Sequence, residues 1–177
     1  MREMVIYGVS FDMVGKQPIV LLKTADGNRF LPIWIGHSEA AAILVKLQNA
    51  APPRPMTHDL MTDILDQLDA RVVRIAVTDL RENTFFAQIT VRQNGSEIEI
   101  DSRPSDAIAL AVRTGAKIYA ADDVIEESGV EFEGEGTDEE IAAAATGAPP
   151  LSDLDPAEFR RFLDEVSPDE FAVDPDE

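Results

Sequence analysis

One short pattern occurs twice in the sequence and constrains the fold more than any other feature. Residues 31–47 and 98–114 share an order of residue types: an apolar run typical of a β-strand, a short polar break, and a Ser-acid-Ala triplet that opens an apolar helix. The triplets Ser38-Glu39-Ala40 and Ser105-Asp106-Ala107 lie 67 residues apart. Ser followed by an acid is a common helix start, so the match depends on the strand and helix around it. The combination predicts an internal duplication.

Turn dipeptides support that prediction. Asp26-Gly27 and Asn94-Gly95 lie 68 residues apart, and both favour tight hairpins because their backbones tolerate positive φ. The alternating run from Glu97 to Asp101 is typical of an antiparallel strand with one wet face. We predict an α+β fold made of a duplicated βββαα unit with a largely antiparallel sheet. The predicted strands cover about residues 4–12, 18–24, 29–35, 72–80, 84–93 and 97–101, and the predicted helices begin near Ser38, Thr57, Ser105 and Ala121.

Helical periodicity predicts which faces of the first two helices are buried. Thr57 and Ser105 are predicted to cap their helices. Pro32 removes a ladder hydrogen-bond donor, so the third strand should lie at an edge or contain a bulge. The predicted apolar stripes are Ala40, Ile43, Leu44 and Leu47 on the first helix, and Leu60, Met61, Ile64, Leu65 and Leu68 on the second.

Charge divides the chain into a nearly balanced body and an acidic tail. From Glu126 onward there are 18 acidic residues and only two basic ones, Arg160 and Arg161, which accounts for −16 of the total charge of −19. The preceding part carries 16 acidic and 13 basic side chains. We predict a domain over residues 1–129, with repeat units of about 1–70 and 71–129, and a tail over 130–177 with a short helix at 155–166.

Several classes of site and location are disfavoured by the sequence. The absence of cysteine excludes disulfides, thiolate metal sites and a cysteine nucleophile, and two histidines cannot form a three-histidine zinc site. The N-terminus resembles neither a signal peptide nor a transit peptide. Apolar runs such as Ala40 to Val45 are far shorter than the roughly 20 residues that span a bilayer. We therefore expect a cytoplasmic protein without membrane contact.

Three segments resemble the bifunctional nuclease family and occur in that family's order. They are Leu31 to Gly36 followed by Glu39-Ala40, Arg54 to Leu60, and Ser102 to Ala111. The resemblance covers about residues 3–129. It implies a compact α+β domain built from a duplicated βββαα unit, and an activity that cleaves both RNA and DNA.

The strongest candidate site is the third helix start, with Asp101, Arg103, Ser105 and Asp106. Free backbone N–H groups and a positive dipole end suit phosphate there, and Arg103 and Ser105 are candidate substrate-binding residues. Asp101 and Asp106 are candidate catalytic residues and, with Glu39, candidate ligands of a divalent metal such as Mg²⁺ or Mn²⁺. The structural alternative is that Ser105 caps the helix, Asp106 complements its dipole and Arg103 pairs with a carboxylate.

Two further candidates lie at the helix starts of the first unit. His58 has the chemistry of a general acid at neutral pH, and Asp59 that of a metal ligand or an orienting carboxylate. Glu39 corresponds to Asp106 in the repeat, so a duplicated fold would bring both carboxylates to one pseudo-symmetric cleft. The structural alternative for all of them is helix capping or dipole complementation.

A body without net positive charge would have to bind nucleic acid through local arginines. Trp34 is an aromatic side chain suited to stacking on a base, although packing against the following helix is the alternative. The arginines considered are Arg54, which is a candidate substrate-binding residue, Arg71, Arg74, Arg103 and Arg113.

These features lead to one expected function and two alternatives. We expect a metal-assisted nuclease of low sequence specificity that hydrolyses phosphodiester bonds in RNA and DNA. One alternative is a non-catalytic module that binds a phosphate ligand or a protein. The other is an interaction protein whose acidic tail recruits a basic partner. Exposed strand edges and the apolar stretch from Pro32 to Ile35 also predict self-association.

Overall fold

The computed structural model describes residues 1–12, 17–50 and 52–131. Within these ranges the chain forms an α+β fold of one eight-stranded sheet and four helices. The first half consists of β1 (Arg2–Asp12), β2 (Gln17–Thr24), β3 (Arg29–Trp34), α1 (His37–Leu47) and α2 (Thr57–Gln67). The second half consists of β4 (Ala70–Arg81), β5 (Thr84–Gln93), β6 (Ser96–Ser102), α3 (Pro104–Thr114), β7 (Lys117–Ala120), α4 (Asp122–Ser128) and β8 (Val130–Glu131). The α+β class and the six strands and four helices predicted from periodicity are confirmed.

Two antiparallel meanders form most of the sheet. The strand order is β6-β5-β4-β7-β1-β2-β3-β8. β7 lies between the meanders, antiparallel to β1, where Met4 pairs with Ile118, and parallel to β4, where Arg74 pairs with Lys117. The sheet is therefore continuous across both halves and mostly antiparallel, as predicted.

The second half departs from the predicted βββαα order. β7 separates α3 from α4, so this half reads βββαβα and then ends with β8. Neither strand was predicted, because four residues and two residues are too few to show alternation. β8 pairs with Arg29 and Phe30 of β3, so residues 130–131 belong to the sheet and not to the tail. The remainder of the predicted tail, with the helix at 155–166, lies outside the described residues.

The two predicted turn dipeptides behave differently. Asn94-Gly95 has φ values of 52° and 80° and forms the two-residue turn between β5 and β6, as predicted. Asp26-Gly27 lies in a longer loop between β2 and β3, and neither residue has a positive φ. That loop is closed by the Arg29 N–H, which donates to Thr24 Oγ1 at 3.3 Å. Asp26-Gly27 thus joins β2 and β3 in an antiparallel hairpin, as predicted, but through a longer loop in which the Gly27 N–H also donates to the Thr24 carbonyl at 3.4 Å.

α3 lies at the centre of the helical layer. Its side chains from Ala107 to Ala111 are at most 3% exposed, and it contacts α1, α2 and strands β4, β5 and β7. On α1, Ala40, Ile43 and Leu44 are buried as predicted, whereas Leu47 is exposed. The start of α3 is thus anchored by a helix that contacts both of its helical neighbours and the sheet.

α2 buries less apolar surface than its sequence stripe predicts. Met61 and Leu65 pack against the core, but Leu60, Ile64 and Leu68 are about half exposed. The reason is its outer position, since α2 contacts α3 and β4 and leaves its other side uncovered in the described part of the chain. None of the helices in the described ranges is long and apolar enough to cross a bilayer.

The stretch from Pro32 to Ile35 is not the apolar surface suggested by its sequence. Pro32, Ile33 and Ile35 are buried, and Trp34 alone in this stretch is exposed. Pro32 lies beyond the two β3 residues that pair with β8, and the β2–β3 register contains no bulge. The predicted edge position of Pro32 is therefore confirmed. Of the apolar stretch, Trp34 is the exposed residue, and self-association stays a prediction.

Candidate functional site

The starts of the helices differ from the predicted caps. The residues immediately before α1, α2 and α3 are Gly36, Met56 and Arg103, all in extended conformation. Thr57 and Ser105 therefore lie inside their helices, and the capping roles predicted for them are wrong. For α3 the physical reason is Pro104, whose fixed φ suits the first helical position. Ser105 is then buried in the first turn.

Arg103 joins α3 to α1 through two carboxylates. Its Nε donates to Asp106 Oδ2 at 2.7 Å and its Nη2 to Asp106 Oδ1 at 3.2 Å. Its Nη1 lies 2.9 Å from Glu39 Oε1. The Arg103 side chain is 66% exposed, whereas those of Glu39 and Asp106 are 16% and 26% exposed. An exposed guanidinium therefore covers two partly buried carboxylates, one from each helix start.

His58 of α2 reaches the same carboxylate from the other side. Its Nε2 lies 3.1 Å from Asp106 Oδ1, and Ser38 Oγ donates to Glu39 Oε2 at 2.9 Å. A cavity of about 260 Å³ opens among these residues, and its lining also includes Met56. We call Glu39, His58, Arg103 and Asp106 the Arg103 cluster. It unites residues from three helices.

Burial opposes ionisation of both carboxylates in the Arg103 cluster, but hydrogen bonds overcome it. For Asp106, bonds from Arg103 and His58 leave the pKa below its ordinary value despite burial. For Glu39, the Ser38 hydroxyl, a backbone N–H and Arg103 likewise leave the pKa lowered. The Asp106 hydrogen bonds raise the pKa of Arg103. Both carboxylates are therefore ionised at neutral pH.

The ionised state of Asp106 fixes the tautomer of His58. A carboxylate only accepts hydrogen bonds, so His58 Nε2 must carry the hydrogen. Nδ1 is then the lone-pair nitrogen of the neutral ring. Nδ1 makes no hydrogen bond with the described residues. In the same part of the chain, every side-chain nitrogen and oxygen that is fully buried does make a hydrogen bond. His58 Nδ1 therefore reaches solvent, although the residue is only 7% exposed.

Asp59 belongs to a different group of contacts. Its Oδ2 accepts the Met56 backbone N–H at 2.8 Å, and its Oδ1 accepts Arg113 Nε at 2.6 Å. Burial raises the pKa of Asp59, but these two hydrogen bonds lower it by more than burial raises it, so the pKa lies below its ordinary value. Arg113 Nη1 also donates to the carbonyls of Ala42 and Ala109 at 3.0 and 2.9 Å. We call Arg113, Asp59 and these carbonyls the Arg113 clamp.

The remaining candidate residues are separate from the Arg103 cluster. Asp101 is exposed on β6, opposite Gln88 of β5, and makes no side-chain hydrogen bond or ion pair with a described residue. Arg54 lines another cavity, of about 410 Å³, beside Asp59. The described ranges contain no group of three or more His, Asp or Glu side chains arranged to hold a metal ion. Of the three predicted metal ligands, only Glu39 and Asp106 lie together.

The predicted arginine patch is also divided. Arg113 is 3% exposed, and its donors are bound within the clamp, so it cannot bind a phosphate backbone. The expectation that Arg113 contacts nucleic acid is therefore wrong. Arg74 lies 3.7 Å from both Glu97 and Glu99. Arg103 is an exposed cation beside the carboxylates of its cluster, and Arg54 is an exposed cation beside Asp59 and Asp63.

Comparison with known proteins identifies the family. The bifunctional nuclease domain matches residues 20–133, a range that contains the whole Arg103 cluster. The chain belongs to the bifunctional nuclease domain family. An uncharacterized protein of Mycobacterium tuberculosis strain H37Rv is 39% identical over 171 residues, which is 97% of this chain and 98% of that protein.

Plant relatives share only the domain. Bifunctional nuclease 1 of Arabidopsis thaliana is 31% identical over 100 residues, or 54% of this chain and 31% of that protein. Bifunctional nuclease 2 of Oryza sativa subsp. japonica is 26% identical over 101 residues, or 55% of this chain and 31% of that protein. The chain thus aligns with about a third of each plant nuclease.

Sequence reasoning missed the contacts that hold the site together. His58 and Asp106 are 48 positions apart, and no local periodicity indicates that they meet. Arg113 looked like a surface cation, yet it is buried. The one usable signal was the Ser-acid-Ala offset, which aligned Glu39 with Asp106.

Proposed function

We propose that this chain is a nuclease that hydrolyses phosphodiester bonds in RNA and DNA with low sequence specificity, and that it does so at the Arg103 cluster. The observation that carries the proposal is the convergence of His58, Arg103 and two ionised carboxylates at one solvent-facing cavity. Family membership supports the reaction class, since relatives carry the name bifunctional nuclease.

His58 has the geometry of a proton-transfer group. Asp106 holds its Nε2–H, which leaves Nδ1 facing solvent as a base that can take a proton from an attacking water or sugar hydroxyl. Once protonated, the imidazolium is stabilised by Asp106 and can return the proton to a leaving oxygen. His58 is thus the proposed catalytic residue, and Asp106 is a positioning residue for its ring.

Arg103 supplies the positive charge that a phosphate needs. Its guanidinium is two-thirds exposed and can form paired hydrogen bonds with phosphate oxygens. In the free protein it is held by Glu39 and Asp106, so phosphate would have to compete with these carboxylates.

The chemistry of two carboxylates supports a divalent metal at Glu39 and Asp106. Glu39 and Asp106 are hard, ionised oxygen donors that already share one cation, and Mg²⁺ commonly uses one or two protein carboxylates and keeps several waters. Glu39 and Asp106 are therefore the proposed ligands of Mg²⁺ or Mn²⁺. A bound metal would contribute charge stabilisation of phosphoryl oxygens.

Cleavage assays test the proposal with variants in which an ionisable side chain is replaced by an amide of similar size. Labelled single-stranded RNA and DNA would be incubated with wild type, Asp106→Asn and His58→Gln, in Mg²⁺, Mn²⁺ or EDTA. We expect both variants to lose about 10²- to 10⁴-fold in rate, the usual contribution of general acid–base catalysis. Asp101→Asn is the matched control because Asp101 is exposed and apart from the cluster. Equal residual cleavage by all proteins would indicate a contaminant and refute the assignment.

The second candidate function is a non-catalytic binding module. The observation that favours it is the neutralisation of Arg103 by two carboxylates, which leaves the cluster without net positive charge. A binder would retain affinity for a phosphate ligand or a protein without turning over any nucleic acid. Absence of cleavage by purified wild type under every metal condition would favour this reading.

A further inference from the structure

A second cavity adjoins the Arg103 cluster and shares Arg103 with it. Its volume is about 340 Å³, near the lower end of the roughly 300–1,000 Å³ typical of small-ligand sites. One side is formed by Trp34, Ile35 and Gly36 at the end of β3, and another by Asn83 and Phe85 of the β4–β5 hairpin. Arg103 thus lines both the proposed catalytic cavity and this neighbour.

Trp34 lines this cavity with a half-exposed aromatic side chain. Its two neighbours, Ile33 and Ile35, are 1% and 7% exposed, whereas Trp34 itself is 48% exposed. The backbone at Trp34 is therefore anchored by two buried side chains, while about half of the Trp34 surface is accessible to a ligand.

The chemistry of the lining defines the ligand. Among the described residues that line the cavity, Arg103 is the sole charged side chain, and the other polar contributors, such as Asn83 and Ser105, are neutral. A fitting ligand has a flat, uncharged aromatic part for Trp34 and an anionic part for Arg103. A nucleotide has both parts, since its base stacks on aromatic rings and its phosphate pairs with guanidinium.

We propose that this cavity is a base-binding subsite, in which an unpaired base stacks on Trp34 while its phosphate lies at Arg103. The inference rests on the proposed function and deepens it, because it names single-stranded nucleic acid as the substrate class. A base inside a duplex has both faces stacked and is unavailable to Trp34. Stacking on an aromatic face tolerates every base, in agreement with low sequence specificity.

The protein carries a built-in reporter for this proposal. Trp34 is the single tryptophan of the chain, so its fluorescence reports the subsite directly and without turnover. The probe is a single-stranded oligonucleotide of about ten thymidines, titrated in EDTA. We expect it to quench Trp34. A strand of equal length with abasic sugars, and a blunt duplex, should leave the fluorescence unchanged.

Variants separate stacking from charge. Fluorescence anisotropy of the labelled strand should show binding weakened about 5- to 100-fold by Trp34→Ala, the range for losing one base–aromatic stack. Trp34→Phe keeps an aromatic face and should retain most of the affinity. Leu60→Ala is the matched control, because Leu60 is also a half-exposed apolar residue but lies on α2. Urea unfolding of each variant checks that the fold is intact.

Four results would overturn the proposal. They are unchanged Trp34 fluorescence on binding, equal quenching by the abasic strand, wild-type affinity in Trp34→Ala, and thymidine monophosphate binding as tightly as the strand, which would assign the cavity to free nucleotides instead. If wild type cleaves, Asp106→Asn does not, and Trp34→Ala binds and cleaves normally, only the subsite fails. If the strand quenches Trp34 and abasic discrimination holds while wild type never cleaves, only the proposed nuclease activity fails.

Discussion

The two ends of α3 each carry an arginine bound to carboxylate, and the two arginines occupy opposite environments. Arg103 precedes the helix, is 66% exposed, and contacts Glu39 and Asp106. Arg113 in the last turn is 3% exposed, and its partners are Asp59 and two backbone carbonyls. One helix therefore presents a replaceable cation at its start and a fixed one at its end.

The two arginines differ in which groups would lose a hydrogen-bond donor if the side chain were removed. Removing the Arg113 side chain would take a buried donor away from Asp59 and from the carbonyls of Ala42 and Ala109, so it is part of the packing of α1, α2 and α3. Removing Arg103 uncovers Glu39 and Asp106, which line a cavity of about 260 Å³. Exposed ion pairs contribute little to folding, typically about 0–1 kcal/mol. A role for Arg103 in ligand binding therefore does not conflict with stability, whereas such a role for Arg113 would.

The sharpest test of this contrast is Arg113→Met. Methionine keeps the unbranched stem but removes every donor, so we expect the free energy of unfolding to fall by about 3 kcal/mol, the lower end for breaking a buried pair. Urea unfolding followed by circular dichroism measures it. Arg103→Met is the matched control and should cost about 1 kcal/mol or less. Similar losses of unfolding free energy in both variants would show that the two arginines contribute equally to stability, contrary to this comparison.

Arg103→Met, which should have the smaller effect on stability, should have the larger effect on cleavage. We expect the rate on single-stranded RNA to fall about 10²- to 10³-fold, as for other donors that stabilise charge in a transition state. Arg103→Lys should recover only part of the rate because lysine lacks the two-pronged fork. An Arg103→Met enzyme with wild-type turnover would show that phosphate is held elsewhere.

Acid should loosen the clamp by a smaller amount. The lowered pKa of Asp59 means that its contribution to stability is present above the unfolded-state pKa and is lost as pH falls through the folded-state pKa. Unfolding free energy should therefore decrease below about pH 5, and Asp59→Asn should show a shallower decrease. The effect is smaller than that of Arg113→Met because a protonated Asp59 still accepts hydrogen bonds. Parallel pH profiles for the two proteins would contradict this.

Gly36→Ala should disturb the cluster most gently. A Cβ at Gly36 would overlap the Glu39 carboxylate, whereas the backbone there, with φ of −77°, suits any residue. We expect the Glu39 side chain to rotate away from Arg103, with at most about 1 kcal/mol lost in stability. Cleavage should fall to the level of Glu39→Gln. A rate equal to wild type would mean that the Arg103–Glu39 contact is dispensable.

The sequence predicted the positions of the strands and helices better than it predicted which of them lie next to each other. Long periodic segments such as residues 84–93 and 104–114 were located to within one residue, because their patterns are strong and local. β7 was missed because Lys117–Ala120 is too short to show a period. The hairpin at Asp26-Gly27 was located, but its longer loop was not, because the Thr24 hydroxyl supplies an acceptor that the dipeptide does not reveal.

The candidate site shows the same division between local and distant information. The aligned helix starts pointed to Glu39 and Asp106, and both contact Arg103. Asp101 was grouped with them by closeness in sequence, yet it lies on an edge strand apart from them. The His58–Asp106 contact and the burial of Arg113 depend on how α2 packs on α3, which one sequence does not specify.

The position of β7 has a consequence for synthesis on the ribosome. β1 is an early product of translation, but one of its two strand partners is Lys117–Ala120, and Met4 pairs with Ile118. At about 5–20 residues per second, the N-terminal meander keeps one edge unpaired for on the order of ten seconds. Until β7 emerges, that edge is open to pairing with other nascent chains. The strand that unites the sheet therefore also closes the open edge of β1.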